Sequence, residues 1–107
     1  MRTISYNVKR SVMGKKTVVL VKDKERQNEG LRCSLGLLLE DHVVSMIILN
    51  NEVKMTEEYH DNMMFIDEMG GSRYSNVSAN IEKYGFKPIT IDDVADLIKE
   101  KDVIIPF

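Results

Sequence analysis

The amino-acid sequence predicts an α/β fold: a three-layer α/β/α sandwich around a mainly parallel sheet of about five strands. The first observation behind this is the segment Glu29 to Glu52, EGLRCSLGLLLEDHVVSMIILNNE, where a glycine-punctuated apolar helix passes through a short break into an almost wholly apolar strand. Leu31, Leu35 and Leu38 recur at helical spacing, whereas Val43, Val44, Met46, Ile47, Ile48 and Leu49 form a run that only Ser45 interrupts. A strand apolar on both sides must be covered on both sides, which is the condition of an interior strand in a parallel sheet. The second observation is that strand-like and helix-like segments alternate along the whole chain. The third is the length of 107 residues, enough for one core and too short for two.

The elements follow in order. Met1 to Lys16 carries Arg2, Lys9, Arg10, Lys15 and Lys16, no acidic residue and no sustained periodicity, and reads as a basic, flexible arm ahead of a single domain over 17–107. A phosphate or partner contact is the other reading of the arm, and Met13-Gly14-Lys15-Lys16 would also serve as a natural start. Thr17 to Lys22 is the first strand, followed by a polar turn and a helix from about Arg26 to Glu40 that Asp23 or Asn28 could cap. The second strand is His42 to Leu49. Thr56-Glu57-Glu58 then supplies a cap and two acids where the helix dipole favours negative charge. That helix has the inward stripe Met55, Tyr59, Met63, Ile66 and Met69, and Gly70-Gly71 ends it. Ser72 to Asn76 is a third strand, Ser78 to Tyr84 a short helix stopped by Gly85, and Phe86 to Ile89 a brief edge strand where Pro88 costs no ladder bond. Thr90 with Asp93 forms a capping box opening a helix whose inward residues are Ile91, Val94, Leu97 and Ile98. Asp102 to Phe107, DVIIPF, is the last strand.

Composition excludes more than it identifies. With 43% hydrophobic and 30% charged residues and a formal charge of -2, no global field points to nucleic acid. Cys33 is the sole cysteine, so neither an intrachain disulfide nor a cysteine-based metal site can be assembled from one chain, and a reducing cytoplasm is the expected location. No apolar run approaches the ~20 residues of a membrane span.

In a parallel sheet, ligands gather beyond the carboxyl ends of the strands. Three loops therefore matter: Asp23 to Asn28, Asn50 to Met55, and Ser75 to Asn80. Asp23, Asn28, Asn51 and Asn76 are suited to hydrogen-bond a small ligand there, with Val77 and Ser78 at the start of the next helix. Glu57, His60 and Asp61 share a helix face but lack a second cluster, so a solvated face is expected and no metal; no cofactor is expected either. Met55, Met63, Met64 and Met69 read as core filler. At ~100° per residue, Cys33 lies roughly opposite the Leu31, Leu35, Leu38 stripe, near Leu37 and Gly30. With Leu37 and Leu39 also apolar, and Gly30 and Gly36 permitting close approach, that helix is expected to make a subunit contact.

From about Thr17 to Phe107 the succession VVLVKD, EGLRCSLGLLLEDHVVSMIILNNEV, GSRYSNVSANIEKYGF and DVIIPF resembles the DsrE/DsrF-like sulfur-relay family. The resemblance implies a parallel α/β sheet and assembly into dimers, trimers or hexamers. In active members it also implies a persulfide carried on a cysteine just after the third strand, where a helix amino terminus stabilises a thiolate. Here that position falls at or next to Val77, between Asn76 and Ser78, and none of these is a thiol. Serine without an adjacent base is a poor nucleophile. The resemblance thus implies a cytoplasmic, homo-oligomeric DsrE-like protein without catalysis of its own. Its role would be structural, regulatory or binding, with a sulfur-carrier protein or a small ligand as partner. The alternatives are an active, sulfurtransferase-like persulfide carrier using Cys33, or a small-ligand-binding α/β module. VVLVKDKE and Lys87-Pro88 are also similar to receiver domains of two-component signalling, but Ser75 and Asn76 stand where the phosphoacceptor aspartate is required.

Overall fold

The computed structural model describes residues 15–107; the arm predicted from the sequence lies, apart from Lys15 and Lys16, outside the described residues. Strand β1 (Lys16–Val21) begins one residue earlier than the sequence suggests. A single 3-10 turn over Lys24–Arg26 leads into helix α1 (Gln27–Leu39), which runs into β2 (Val43–Ile48). Then come α2 (Glu57–Glu68), β3 (Ser72–Ser75), α3 (Ser78–Tyr84), β4 (Lys87–Pro88), α4 (Ile91–Lys99) and β5 (Val103–Pro106).

All four strand pairings are parallel, and the order across the sheet is β4-β3-β2-β1-β5. The chain steps outward from β1 through β2 and β3 to β4, then crosses back to place β5 on the far side of β1. That reversal divides the helices between the faces. Val19, Val21, Val44, Met46 and Ile48 point to one face, where Leu31 and Leu38 of α1 and Tyr59, Met63 and Ile66 of α2 bury them, with Ile81 and Tyr84 of α3 alongside. Val18 and Ile47 point to the other, covered by Val94, Leu97 and Ile98 of α4. The three layers expected from the doubly apolar β2 are present, but the second helical layer is a single short helix.

Local chemistry explains the boundaries. The Thr56 hydroxyl accepts the Tyr59 N–H at the head of α2, and the Thr90–Asp93 capping box opens α4. Gly85, in the left-handed conformation at φ 73°, closes α3. Pro88 sits on the edge strand, where its missing N–H breaks no ladder.

Several sequence expectations are corrected. Ile91, the first residue of α4, is 56% exposed, and only Val94 of that helix is fully buried. Met64 is exposed rather than core filler, being one helical step off the stripe that contains Met63. Gly30 is buried against the sheet: a Cβ there would fall well inside van der Waals contact with Val21 Cγ2. The glycine lets α1 approach β1 and does not open a subunit contact, whereas Gly36 has open space around it. Finally, the cap of α1 is divided. Asp23 caps the 3-10 turn by accepting the Glu25 N–H at 2.9 Å, Arg26 is the uncapped residue before the helix, and Asn28 lies within it.

Candidate functional site

The carboxyl ends of β1, β2 and β3 converge on a cluster of carboxamides. The chain leaves β2 at Asn50, whose φ of 67° is tolerated by asparagine better than by most residues. The Asn50 N–H donates to Asn76 Oδ1 at 2.8 Å, and Asn76 Nδ2 donates back to Asn50 Oδ1 at 2.9 Å. Asn51 Nδ2 donates to the Lys22 carbonyl at 2.9 Å, tying the loop after β2 to the end of β1.

Beneath them lies Asn80, fully buried on α3. Its Oδ1 accepts the Val53 N–H at 2.9 Å, while Nδ2 donates to the Asn51 carbonyl at 2.9 Å and to Ser75 Oγ at 3.0 Å. The buried Ser75 Oγ also accepts the Val77 N–H at 3.1 Å, fixing the chain as it enters α3, whose N-cap residue Val77 makes no side-chain cap bond. Gln27 makes a reciprocal pair with Lys54, donating to its carbonyl at 2.8 Å and accepting its N–H at 3.0 Å. The loops after β1, β2 and β3 are thus stitched together by side-chain amides that stand in for backbone partners.

Of the residues singled out from the sequence, Asn51 and Asn76 belong to this network through Asn50 and Asn80, and Val77 and Ser78 form its margin. Asp23 is committed to its own turn, and Asn28 is exposed on the first turn of α1 without a hydrogen bond to the others. Sequence reading missed Gln27, Asn50, Ser75 and Asn80. Asn80 was discoverable in principle, since an asparagine at an inward helix position is costly unless it is fully hydrogen-bonded.

The crevice between β1 and β5, where the strand order reverses and α/β sheets tend to hold ligands, is filled by Phe107. Its carbonyl accepts the N–H groups of Lys22 and Asp23 at 2.8 and 3.3 Å, its own N–H donates to the Leu20 carbonyl at 2.7 Å, and the Arg26 guanidinium lies 4.9 Å from its ring centroid. Clefts open elsewhere. One of about 320 Å³ lies between α4 and β3–β4, lined by Tyr74, Asp93, Asp96, Leu97 and Glu100 among others. Another of about 290 Å³ lies at the opposite end of the sheet beside Arg73. Arg73 itself is buried and committed, bonded to both carboxylate oxygens of Asp67 at 2.8 Å and to the Tyr84 carbonyl at 2.8 Å. It thereby ties down the carboxyl ends of α2 and α3, where a cation is favoured.

Cys33 sits mid-helix on α1, half-buried and packed against the first core cluster, and burial pushes its thiol above the ordinary range. It lies away from the helix amino terminus, and burial is the cause of the shift. On α2, His60 Nδ1 lies 3.6 Å from Asp61 Oδ1 with both side chains exposed. No group of three metal-ligating side chains occurs among the described residues. No helix among them is long and apolar enough to cross a membrane.

Comparison with protein-family models, with curated proteins and with solved structures found no match.

Proposed function

We propose that this chain is a non-catalytic, DsrE-like member of the sulfur-relay group, acting in the cytoplasm as a homo-oligomeric structural, regulatory or binding subunit for a sulfur-carrier protein or a small ligand. The observation that carries the reading is the start of α3. The position that would hold a persulfide is Val77, and its surroundings are closed by Asn50, Asn76, Ser75 and Asn80 bonding one another. Such a network has few donors left for a transferred sulfur and no acid or base to move a proton. Cys33 adds support from the other side. A thiol raised by burial presents little thiolate at neutral pH, and the thiolate is the nucleophile in sulfur exchange.

Intact-mass measurement after incubation with a low-molecular-weight persulfide donor tests this reading. The expected result is no stable sulfur adduct on the folded protein, with an adduct at Cys33 only after unfolding. A stoichiometric adduct on the folded chain that disappears in Cys33→Ser would establish the carrier reading instead.

A further inference from the structure

Both outer strands of the sheet carry a proline, and the ladder shows which way each one faces. The order β4-β3-β2-β1-β5 makes β4 and β5 the edges. Along a strand, successive residues turn their N–H and C=O alternately toward one neighbour and toward the other. On β4, the Ile89 N–H donates to the Ser75 carbonyl at 3.1 Å, and Ser75 stands in register with Pro88. Lys87 and Ile89 therefore face β3, and Pro88 faces outward. The Phe86 N–H is spent on the Asn80 carbonyl at 3.3 Å. Strand β4 thus offers no N–H to a further strand.

The same pattern recurs on the other side. The Phe107 N–H donates to the Leu20 carbonyl at 2.7 Å and the Phe107 carbonyl accepts the Lys22 N–H at 2.8 Å, while Leu20 stands in register with Pro106. Ile105 and Phe107 therefore face β1, and Ile104 and Pro106 face outward. Within β5, the Ile104 N–H is then the one donor on the outer side. The rest of the strand invites pairing: VIIP carries no charge, and Ile104 is an exposed β-branched residue. An uncharged apolar edge is a template for another strand. For a second copy set antiparallel about a two-fold axis, Ile104 would stand opposite residue 106 of the copy, and each such pair would exchange both its bonds. With proline there, half of those bonds are lost and the Ile104 carbonyl of each copy faces a pyrrolidine ring. Centring the pair on Ile104 instead would set Pro106 opposite Asp102, whose N–H is spent on the Lys16 carbonyl at 2.8 Å.

We propose that Pro88 and Pro106 close the two edges of the sheet to strand addition, and that Pro106 in particular holds back a self-pairing surface on β5. The kind of partner this excludes is a strand, whether a β-forming peptide or the β5 of a second copy. A homo-oligomer, in the one point that rests on the proposed function, then shares no sheet between its subunits and is built through other surfaces.

The test follows amide hydrogen exchange and sedimentation of the full 107-residue chain. In wild type the Ile104 amide is expected to exchange at least ~100-fold faster than the Ile105 amide, which is bonded within the sheet. Pro106→Val restores the missing donor, and that variant is expected to gain a concentration-dependent association and to slow Ile104 exchange as it does so. Adding Ile104→Lys to it sets like charges close to the two-fold axis and should abolish both gains. A monomer and an oligomer paired through its helices both leave Ile104 fast, so the outcome is independent of whether the homo-oligomeric reading holds. A wild-type Ile104 amide as slow as that of Ile105, whichever segment covers it, would overturn the proposal. So would Pro106→Val with native protection of Ile105 and an unchanged association state.

Discussion

Replacing Asn80 by alanine removes the keystone of the loop network, and the cost follows from its bonds. The side chain is fully buried and partners three groups: the Val53 N–H, the Asn51 carbonyl and the Ser75 hydroxyl. The Val53 N–H is stranded outright, at about 1–3 kcal/mol for a buried donor without a partner. The carbonyl has a second lone pair and loses less, and the hydroxyl keeps the Val77 N–H as a donor. The sum is about 3 kcal/mol, a large part of the ~5–15 kcal/mol that stabilises a domain. Asn80→Asp separates the contributions. A carboxylate still accepts the Val53 N–H and can accept from the Ser75 hydroxyl, but it sets negative charge against the Asn51 carbonyl, to which the protonated acid can donate. Burial and that carbonyl raise its pKa in the folded state above the unfolded value of about 3.9. The folded state then binds more protons, so the variant's stability relative to wild type falls as pH rises from about 4 toward 7. Urea unfolding at both pH values, with m unchanged, measures this. A cost below ~1 kcal/mol for Asn80→Ala, or a pH-independent deficit for Asn80→Asp, would refute the accounting.

Three further substitutions probe the packing around the site. Gly36→Ala, in open space on α1, should stabilise by up to ~1 kcal/mol through helix propensity. The same change at Gly30 should destabilise by about 1–2 kcal/mol, because overpacking against Val21 outweighs that gain. Thermal unfolding of the pair reads the difference in sign, and equal effects would mean that α1 does not rest on β1 as described. The Tyr59 hydroxyl is buried without a protein partner among the described residues, so Tyr59→Phe should be neutral or stabilising by up to ~1 kcal/mol at neutral pH. Burial raises its phenol far above the ordinary range, against a smaller opposing pull from Arg73. The folded state therefore keeps a proton that the unfolded state loses above pH ~10, and wild-type stability should fall there more steeply than that of Tyr59→Phe in denaturant titrations.

What the sequence revealed follows from how each signal is carried. The doubly apolar β2 and the alternation of periods are local, and they predicted layers that the structure contains. The Thr90–Asp93 box and Gly85 are local signals too, and they placed helix ends correctly. What was lost depended on partners distant in sequence. Gly30 reads as an exposed small residue until Val21 is known to lie under it, and Ile91 reads as inward by its spacing although at the head of α4 it is exposed. The amides were harder still. An asparagine in a loop at the carboxyl end of a strand looks the same whether it awaits a ligand or holds another loop, and only pairing across 26 to 29 residues distinguishes the two.

That distinction bears directly on function. A ligand entering between β2 and β3 would have to break the Asn50–Asn76 pair and offer equivalent bonds to both residues. At the β1–β5 crevice it would have to displace Phe107 from Arg26 and from three backbone bonds. Each exchange trades bonds of equal kind, so its net gain is small. The carboxyl end of this sheet is thus built as a fastened edge. Exposed apolar surface lies instead on the helices, at Leu39 of α1 and at Met64 and Phe65 of α2.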